Sequence, residues 1–309
     1  MMNKLSIFIH IGYPKTASTW LQQIVFNNES LGFYAPWGGQ SPEAIEQFVI
    51  TDGFHFSVES VRQIFEPGLQ EARKKGLIPV MSHESLAGNQ IKGSYWGKEI
   101  ADRIHAVFPN AHIFLVIREQ KSMILSSYRE HIKKGGTKTI YQFIGAGAKK
   151  SGFAPLCRLA YLEYDLLINY YYNLFGESNV LTLPFELLKQ EQQAFVKKIC
   201  EFVGSNAVPV YGSVAKNIGF QGATLDFRRQ LNRFCEPAYF GSGGPPLTWR
   251  LAQKLSKIFD RFVPSDIHDR AEKHYQQFVA DTVGSYFHQS NQRTSRLIGI
   301  NLSELGYDC

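Results

Sequence analysis

Long apolar runs are missing from this chain. No stretch of about 18 or more apolar residues occurs, so no segment is expected to cross a membrane as a helix. Cysteine is scarce: Cys157, Cys200, Cys235 and Cys309 lie far apart, with no CxxC pair and no Cys/His ligand spacing. That argues against a disulfide scaffold and a zinc site, and makes a reduced, cytoplasmic compartment the expectation. Internal repeats and low-complexity tracts are absent as well. The amino-terminal run MMNKLSIFIHIG continues into Tyr13-Pro14-Lys15 where a leader would need small residues, so it reads as a buried strand.

What is present is ample apolar material: 309 residues, 44% hydrophobic and 14% aromatic, enough for a large core. The net charge of +6 is spread along the chain. Such a spread suits an anionic small ligand as readily as nucleic acid, and alone selects neither.

Strand and helix patterns alternate. Strands are expected over 5–11, 77–82, 111–117 (AHIFLVI) and 179–185, and helices over 18–28, 97–108, 120–133, 156–175 and 192–204. A helical pattern over 58–75 is interrupted by Pro67-Gly68. Fully apolar strands joined by helices predict an α/β fold with a central parallel sheet covered on both faces. One domain is expected over 1–309, with an α/β core at 1–205 and a mainly helical region at 206–309. Segments 32–57, 134–155 and 235–246 read as loops, the first a candidate lid over a substrate.

Between the first strand and helix lies GYPKTASTW, residues 12–20. In a parallel sheet, ligands bind at the carboxyl ends of the strands, where helix N-termini offer free N–H groups to anions. Lys15 supplies charge there, and Thr16, Ser18 and Thr19 supply hydroxyls. The loop is not a Walker A motif, because Ala17-Ser18 stands where Gly-Lys-Ser/Thr is required. A Walker B strand would end in an acidic magnesium ligand, whereas AHIFLVI runs into Arg118. An arginine repels magnesium and attracts phosphate, so the pattern points to an anionic nucleotide bound without a metal.

YPKTASTW resembles the YPKSGTTW loop of the PAPS-dependent sulfotransferases, which holds the 5′-phosphosulfate of the donor. A second signature of that family, a strand ending in Arg with Ser eight residues later, is matched by Arg118 and Ser126 in IREQKSMILSS. NLFGESNVLTLPFELL is similar to the family's strand-to-helix segment near the nucleotide base, with Phe185 in place of the common tyrosine. The resemblance implies a P-loop-like sulfotransferase fold, PAPS as donor, adenosine 3′,5′-bisphosphate as product, and no metal. Ala17 departs from the usual glycine, and the Arg-Lys-Gly segment of cytosolic members is absent. Lys216, Asn217 and Gly219, with Arg228, are its nearest substitutes. Trp20 corresponds to a residue near the adenine, with burial in the core as the alternative.

By the same resemblance Lys15 neutralises charge on the leaving oxygen. The general base is expected at the end of the strand over 77–82, where His83 and Glu84 both qualify. Adjacent residues point to opposite faces, and the imidazole's ordinary pKa favours His83. A small-molecule or saccharide acceptor is implied, and no nucleic acid; nothing bears on oligomeric state. A metal-dependent phosphotransferase and a non-catalytic nucleotide-binding module are the competing classes. His10 and His112 read as core histidines; His131, Lys133 and Lys134 as a helix-end charge cluster; Tyr161, Tyr164, Tyr170, Tyr171 and Tyr172 as packing; and His55 as an acceptor contact.

Overall fold

The computed structural model describes residues 6–145, 154–205, 220, 222–235 and 247–309. β1 (Phe8–His10) leads through the Lys15 loop to α1 (Ser18–Trp20), which widens into a π-turn over Leu21–Val25. Then come β2 (Phe33–Tyr34), α2 (Pro42–Ile45), α3 (Val58–Lys75) and β3 (Ile78–Ser82). α4 (Gly97–Val107), β4 (His112–Ile117), α5 (Gln120–Lys133) and α6 (Ile140–Ile144) follow. α7 (Tyr164–Phe175), β5 (Val180–Pro184), α8 (Phe185–Gln190) and α9 (Gln192–Phe202) complete the α/β part. The remainder is helical: α10 (Ala223–Leu231), α11 (Leu247–Phe262), α12 (Ser265–Val283) and α13 (His288–Ile298).

The five strands are all parallel in the order β2-β3-β1-β4-β5. β1 is flanked by β3 and β4, with Phe8 opposite Val80 on one side and His112 on the other. The chain therefore changes sides of β1 between β3 and β4, and the crevice at their carboxyl ends is the topological switch point where α/β sheets bind ligands. Strand alternation divides the core into two layers. Ile9, Ile113 and Leu115 pack with Phe65, Ile104 and Tyr171 on one face, and Phe8, Phe114 and Val116 with Leu21, Phe33 and Phe195 on the other. Burial of each such side chain stabilises by about 1.5–3 kcal/mol. A third cluster, around Tyr13, Tyr128, Tyr164 and Tyr275, seals the helical region onto α5 and α7.

Several sequence expectations change. α3 runs unbroken through Pro67. Pro67 is exposed, so the carbonyl one turn earlier that its ring leaves without a partner is on the side open to water. Gly68 is needed there, since a Cβ would come within 2.7 Å of Trp37 Nε1. The helix over 156–175 is shorter. A 3-10 turn at Leu159–Leu162 breaks at Glu163 before α7 begins, because Tyr161 and Tyr164 both turn inward onto Tyr13, at 5.2 and 5.0 Å between ring centroids. Segment 32–57 is not a single loop: it supplies β2 and α2, and Phe48 within it is wholly buried.

Candidate functional site

The Lys15 loop is shaped by its own backbone. Gly12 lies over the ring of His10, where a Cβ would sit 2.5 Å from Nε2. Thr16 Oγ1 donates to the Tyr13 carbonyl at 2.6 Å, so this buried hydroxyl braces the turn and Thr16 faces any ligand with its backbone. Lys15 and Ala17 both take positive φ, 72° and 65°. Ala17 thus holds the left-handed conformation a glycine would adopt, at a steric cost of about 1–2 kcal/mol. Ser18 opens α1 with a buried Oγ that has no partner, while Thr19 is exposed. Trp20 is half-buried against the Phe8–Phe114 layer, with the core packing that was the alternative to adenine contact.

The second half of the site comes from β4 and α5. Arg118 leaves the tip of β4, and its Nη1 donates to the Lys15 carbonyl at 3.1 Å. The Tyr164 hydroxyl donates to the Arg118 carbonyl at 2.6 Å, and the guanidinium lies over the Phe185 ring at 5.1 Å. Burial lowers the Arg118 pKa, with nearby Glu186 opposing and Arg129 reinforcing the shift; a guanidinium stays charged regardless. Its Nε is buried without a partner. Ser126, buried on α5, lies about two helical turns beyond. Orphaned donors at Arg118 Nε and Ser18 Oγ, with cations around them, are what a bound polyanion would satisfy.

Two residues missed by the sequence reading complete this side. Glu130 on α5 holds Lys15 Nζ at 3.1 Å and Lys134 Nζ at 3.6 Å. Burial raises its pKa, but Lys15, Lys134 and Lys133 pull it below the ordinary value. Arg129 pairs with Glu272 of α12, whose other oxygen accepts from Gly222 N at 3.4 Å. Helical spacing puts 129 and 130 on the Ser126 face, a signal that was available in the sequence.

At the tip of β3, His83 N donates to the His10 carbonyl at 3.1 Å, which extends the sheet pairing by one residue. His83 Nδ1 accepts from Ser85 N at 3.0 Å. A backbone amide is always the donor, so neutral His83 carries its proton on Nε2. Burial lowers the His83 pKa; Glu84 opposes this, while Lys92 and Lys134 lower it further. Glu84 Oε2 is buried without a partner and 4.0 Å from His83 Nδ1. Glu130 joins Lys134, one of the cations that lower the His83 pKa, to Lys15.

The structure therefore brings together Lys15, Thr16, Ala17, Ser18, Arg118 and Phe185, and sets His83 and Glu84 at the adjoining strand tip. Lys216, Asn217 and Gly219 lie outside the described residues, as does most of 235–246. Arg228 is wholly buried with three unpartnered guanidinium nitrogens, near Trp249. His55 is exposed and pairs with Asp52 at 2.6 Å. His131 is no part of a charge cluster: burial lowers its pKa to about 4. His10 is only half satisfied, with Nδ1 bonded to Ser82 Oγ and Nε2 orphaned. Three of the tyrosine hydroxyls brace the site or its supports, reaching Ala87 O, Arg118 O and Asp102. Among the described residues no group of three or more His, Cys, Asp or Glu is arranged to hold a metal, and no helix is long and apolar enough to cross a membrane.

Residues 98–208 match the model of the Sulfotransferase family. No curated protein matches the chain. Among solved structures, a sulfotransferase from Alicyclobacillus acidocaldarius is similar with a TM-score of 0.57 at 13% identity, over 97% of this chain and 98% of that one. The sulfotransferase domain of the Synechococcus PCC 7002 olefin synthase gives 0.39 at 13% identity, over 84% of this chain and 96% of its own. That of the curacin biosynthetic pathway gives 0.41 at 16%, over 90% and 98%. Only the first is close enough to bear on the fold, and at 13% identity it bears on the fold alone.

Proposed function

We propose that this chain, whose residues 98–208 match the Sulfotransferase family, moves a sulfuryl group from PAPS to a hydroxyl of a small-molecule or saccharide acceptor. One observation carries the reading: the Arg118 guanidinium reaches the Lys15 carbonyl at 3.1 Å, which joins the two anion-binding motifs in one cradle. PAPS supplies an activated sulfuryl group on a bisphosphate leaving group. Lys15, the loop N–H groups and Ser18 would hold its 5′ end. Arg118 and Ser126 would hold the 3′-phosphate, with Phe185 beside the base and Arg129 adding charge. Lys216, Asn217 and Gly219 are proposed to complete the cradle from the helical region.

The residues then divide the chemistry. In an in-line displacement the acceptor oxygen–sulfur bond forms as the sulfur–bridging oxygen bond breaks, and the acceptor's proton needs a base. His83 is poorly placed for that task in its neutral form, because Nδ1 is taken by Ser85 N–H and Nε2 already bears a proton. Glu84 has the buried, unpartnered oxygen. We therefore assign Glu84 as the base and His83 as the donor that orients the acceptor oxygen through Nε2–H. Lys15 leaves Glu130 to meet charge growing on the leaving oxygen, where a preorganised cation is worth most.

Calorimetric titration with adenosine 3′,5′-bisphosphate, without added metal, tests the donor site. Binding that Arg118→Ala abolishes is the expected result. A preference for ATP with magnesium would favour a phosphotransferase instead. Tight bisphosphate binding without turnover over a wide acceptor panel would leave a nucleotide-binding module.

A further inference from the structure

The helix α11 carries an apolar stripe that the protein leaves in solvent. Leu247, Leu251, Leu255, Ile258 and Phe262 are 39–81% exposed. They recur at spacings of four, four, three and four, which at about 100° per residue confines them to a single stripe along the helix. The helix is nevertheless anchored. Its opposite side buries Ala252 and Ser256, stacks Phe259 on Phe227 at 4.2 Å, and accepts the Thr224 hydroxyl at Asp260 Oδ1 at 2.7 Å. Isolated exposed leucines are ordinary, but five in register on one helix are not. Phe234, 82% exposed, precedes Cys235, whose Sγ donates to the Thr248 carbonyl at 3.4 Å at the start of this helix.

The charge beside the stripe decides what it fits. Arg250, Lys254, Lys257 and Arg261 are all exposed, and the same helical wheel places all four along one edge of the stripe. None of them makes an ion pair among the described residues. Asp260 is the only acid on the helix and is committed to Thr224. A second copy of this chain is a poor occupant. Antiparallel pairing of two such stripes would set the basic edges, with Lys254 and Arg261, against each other. A surface that offers acyl chains to the stripe and phosphate or carboxylate groups to the edge matches both features.

We propose that α11 is an interfacial anchor that lies on an anionic lipid bilayer, with Leu251, Leu255, Ile258 and Phe262 in the acyl boundary and the four basic residues at the headgroups. The inference stands apart from the donor-site reading, because no residue of that site is used.

Co-sedimentation of the full chain with vesicles tests it, using phosphatidylcholine alone and phosphatidylcholine mixed with phosphatidylserine. The expected result is binding to the mixed vesicles that weakens with salt. It should fall about tenfold or more both in Leu251→Ser with Ile258→Ser and in Lys254→Glu with Lys257→Glu. Both pairs are exposed, so thermal melting and bisphosphate binding should match the parent chain. Absence of binding to the mixed vesicles would overturn the proposal, and so would binding that neither pair of substitutions reduces. A wild-type dimer in sedimentation velocity that the Leu251→Ser, Ile258→Ser pair dissolves would assign the stripe to self-association instead.

Discussion

Two neighbouring strand tips build this site in opposite ways. After β1 the chain makes a tight, preset turn: Lys15 and Ala17 at positive φ, Thr16 bonded back to Tyr13, and Arg118 bonded to the Lys15 carbonyl. Its charges are cationic, and its orphaned groups are donors or hydroxyls. After β3 the chain carries both signs: burial lowers the His83 pKa, with Glu84 opposing and Lys92 and Lys134 adding to the shift, and Glu84 keeps an unpartnered carboxylate oxygen. The first tip is a preset turn, which we assign to the anionic donor. The second is a mixed-charge surface, to which we assign the acceptor's proton. Glu130 is the link, as it holds both Lys15 and Lys134.

The sharpest way to break this contrast is at the second tip. Glu84→Gln is expected to lower kcat by about 10²–10⁴ with bisphosphate affinity unchanged, whereas His83→Asn should cost less and act on KM as well as kcat. Steady-state kinetics on both variants separates the roles, and a larger loss for His83→Asn would return the base to the imidazole. Lys15→Ala should lower kcat by about 10²–10³, measured with saturating donor. Glu130→Gln should do the reverse for binding. With the competing carboxylate gone, Lys15 is freed toward the donor and bisphosphate affinity rises about two- to fivefold, in keeping with a partly buried, solvent-reachable ion pair worth under about 1 kcal/mol. Unchanged affinity by calorimetry would mean that the pair is incidental.

Beneath the tips, burial sets a pH dependence. It lowers the His10 pKa to about 3, with His83 adding to the shift, and the His131 pKa to about 4, with Lys138 adding. Below the unfolded value near 6.5 the unfolded chain binds protons that the folded chain refuses, so stability falls as pH drops from about 6.5 toward 4. The slope is up to ~1.4 kcal/mol per pH unit for each histidine. Melting temperatures between pH 7 and pH 5 check the sign, and a flat profile would show that neither histidine stays neutral. The smallest effect belongs to the first tip. Ala17→Gly should raise stability by about 1 kcal/mol by removing the steric cost at φ 65°, read as a higher melting temperature with the same bisphosphate affinity.

The strands and most helices were legible because their periods are local. AHIFLVI has no polar residue but His112 to expose, and β4 is buried on both faces. The failures were equally physical. Pro67 looks like a breaker until it is found on the exposed side of α3, and the 156–175 pattern looks continuous until Tyr161 and Tyr164 are seen packing on Tyr13. His131 was read as a charge because it stands beside lysines in the chain. Its burial keeps it neutral.

By itself the sequence determined the parallel α/β plan and the cationic tip after β1, since strand periodicity and the Lys15 and Arg118 motifs depend only on near neighbours and residue type. Only the tertiary structure decided which groups answer one another. Glu130 lies 115 residues from Lys15, and the tautomer of His83 hangs on one amide hydrogen bond to Ser85. Charge and hydrogen bonding act through space over a few ångströms, and chain distance carries no record of that.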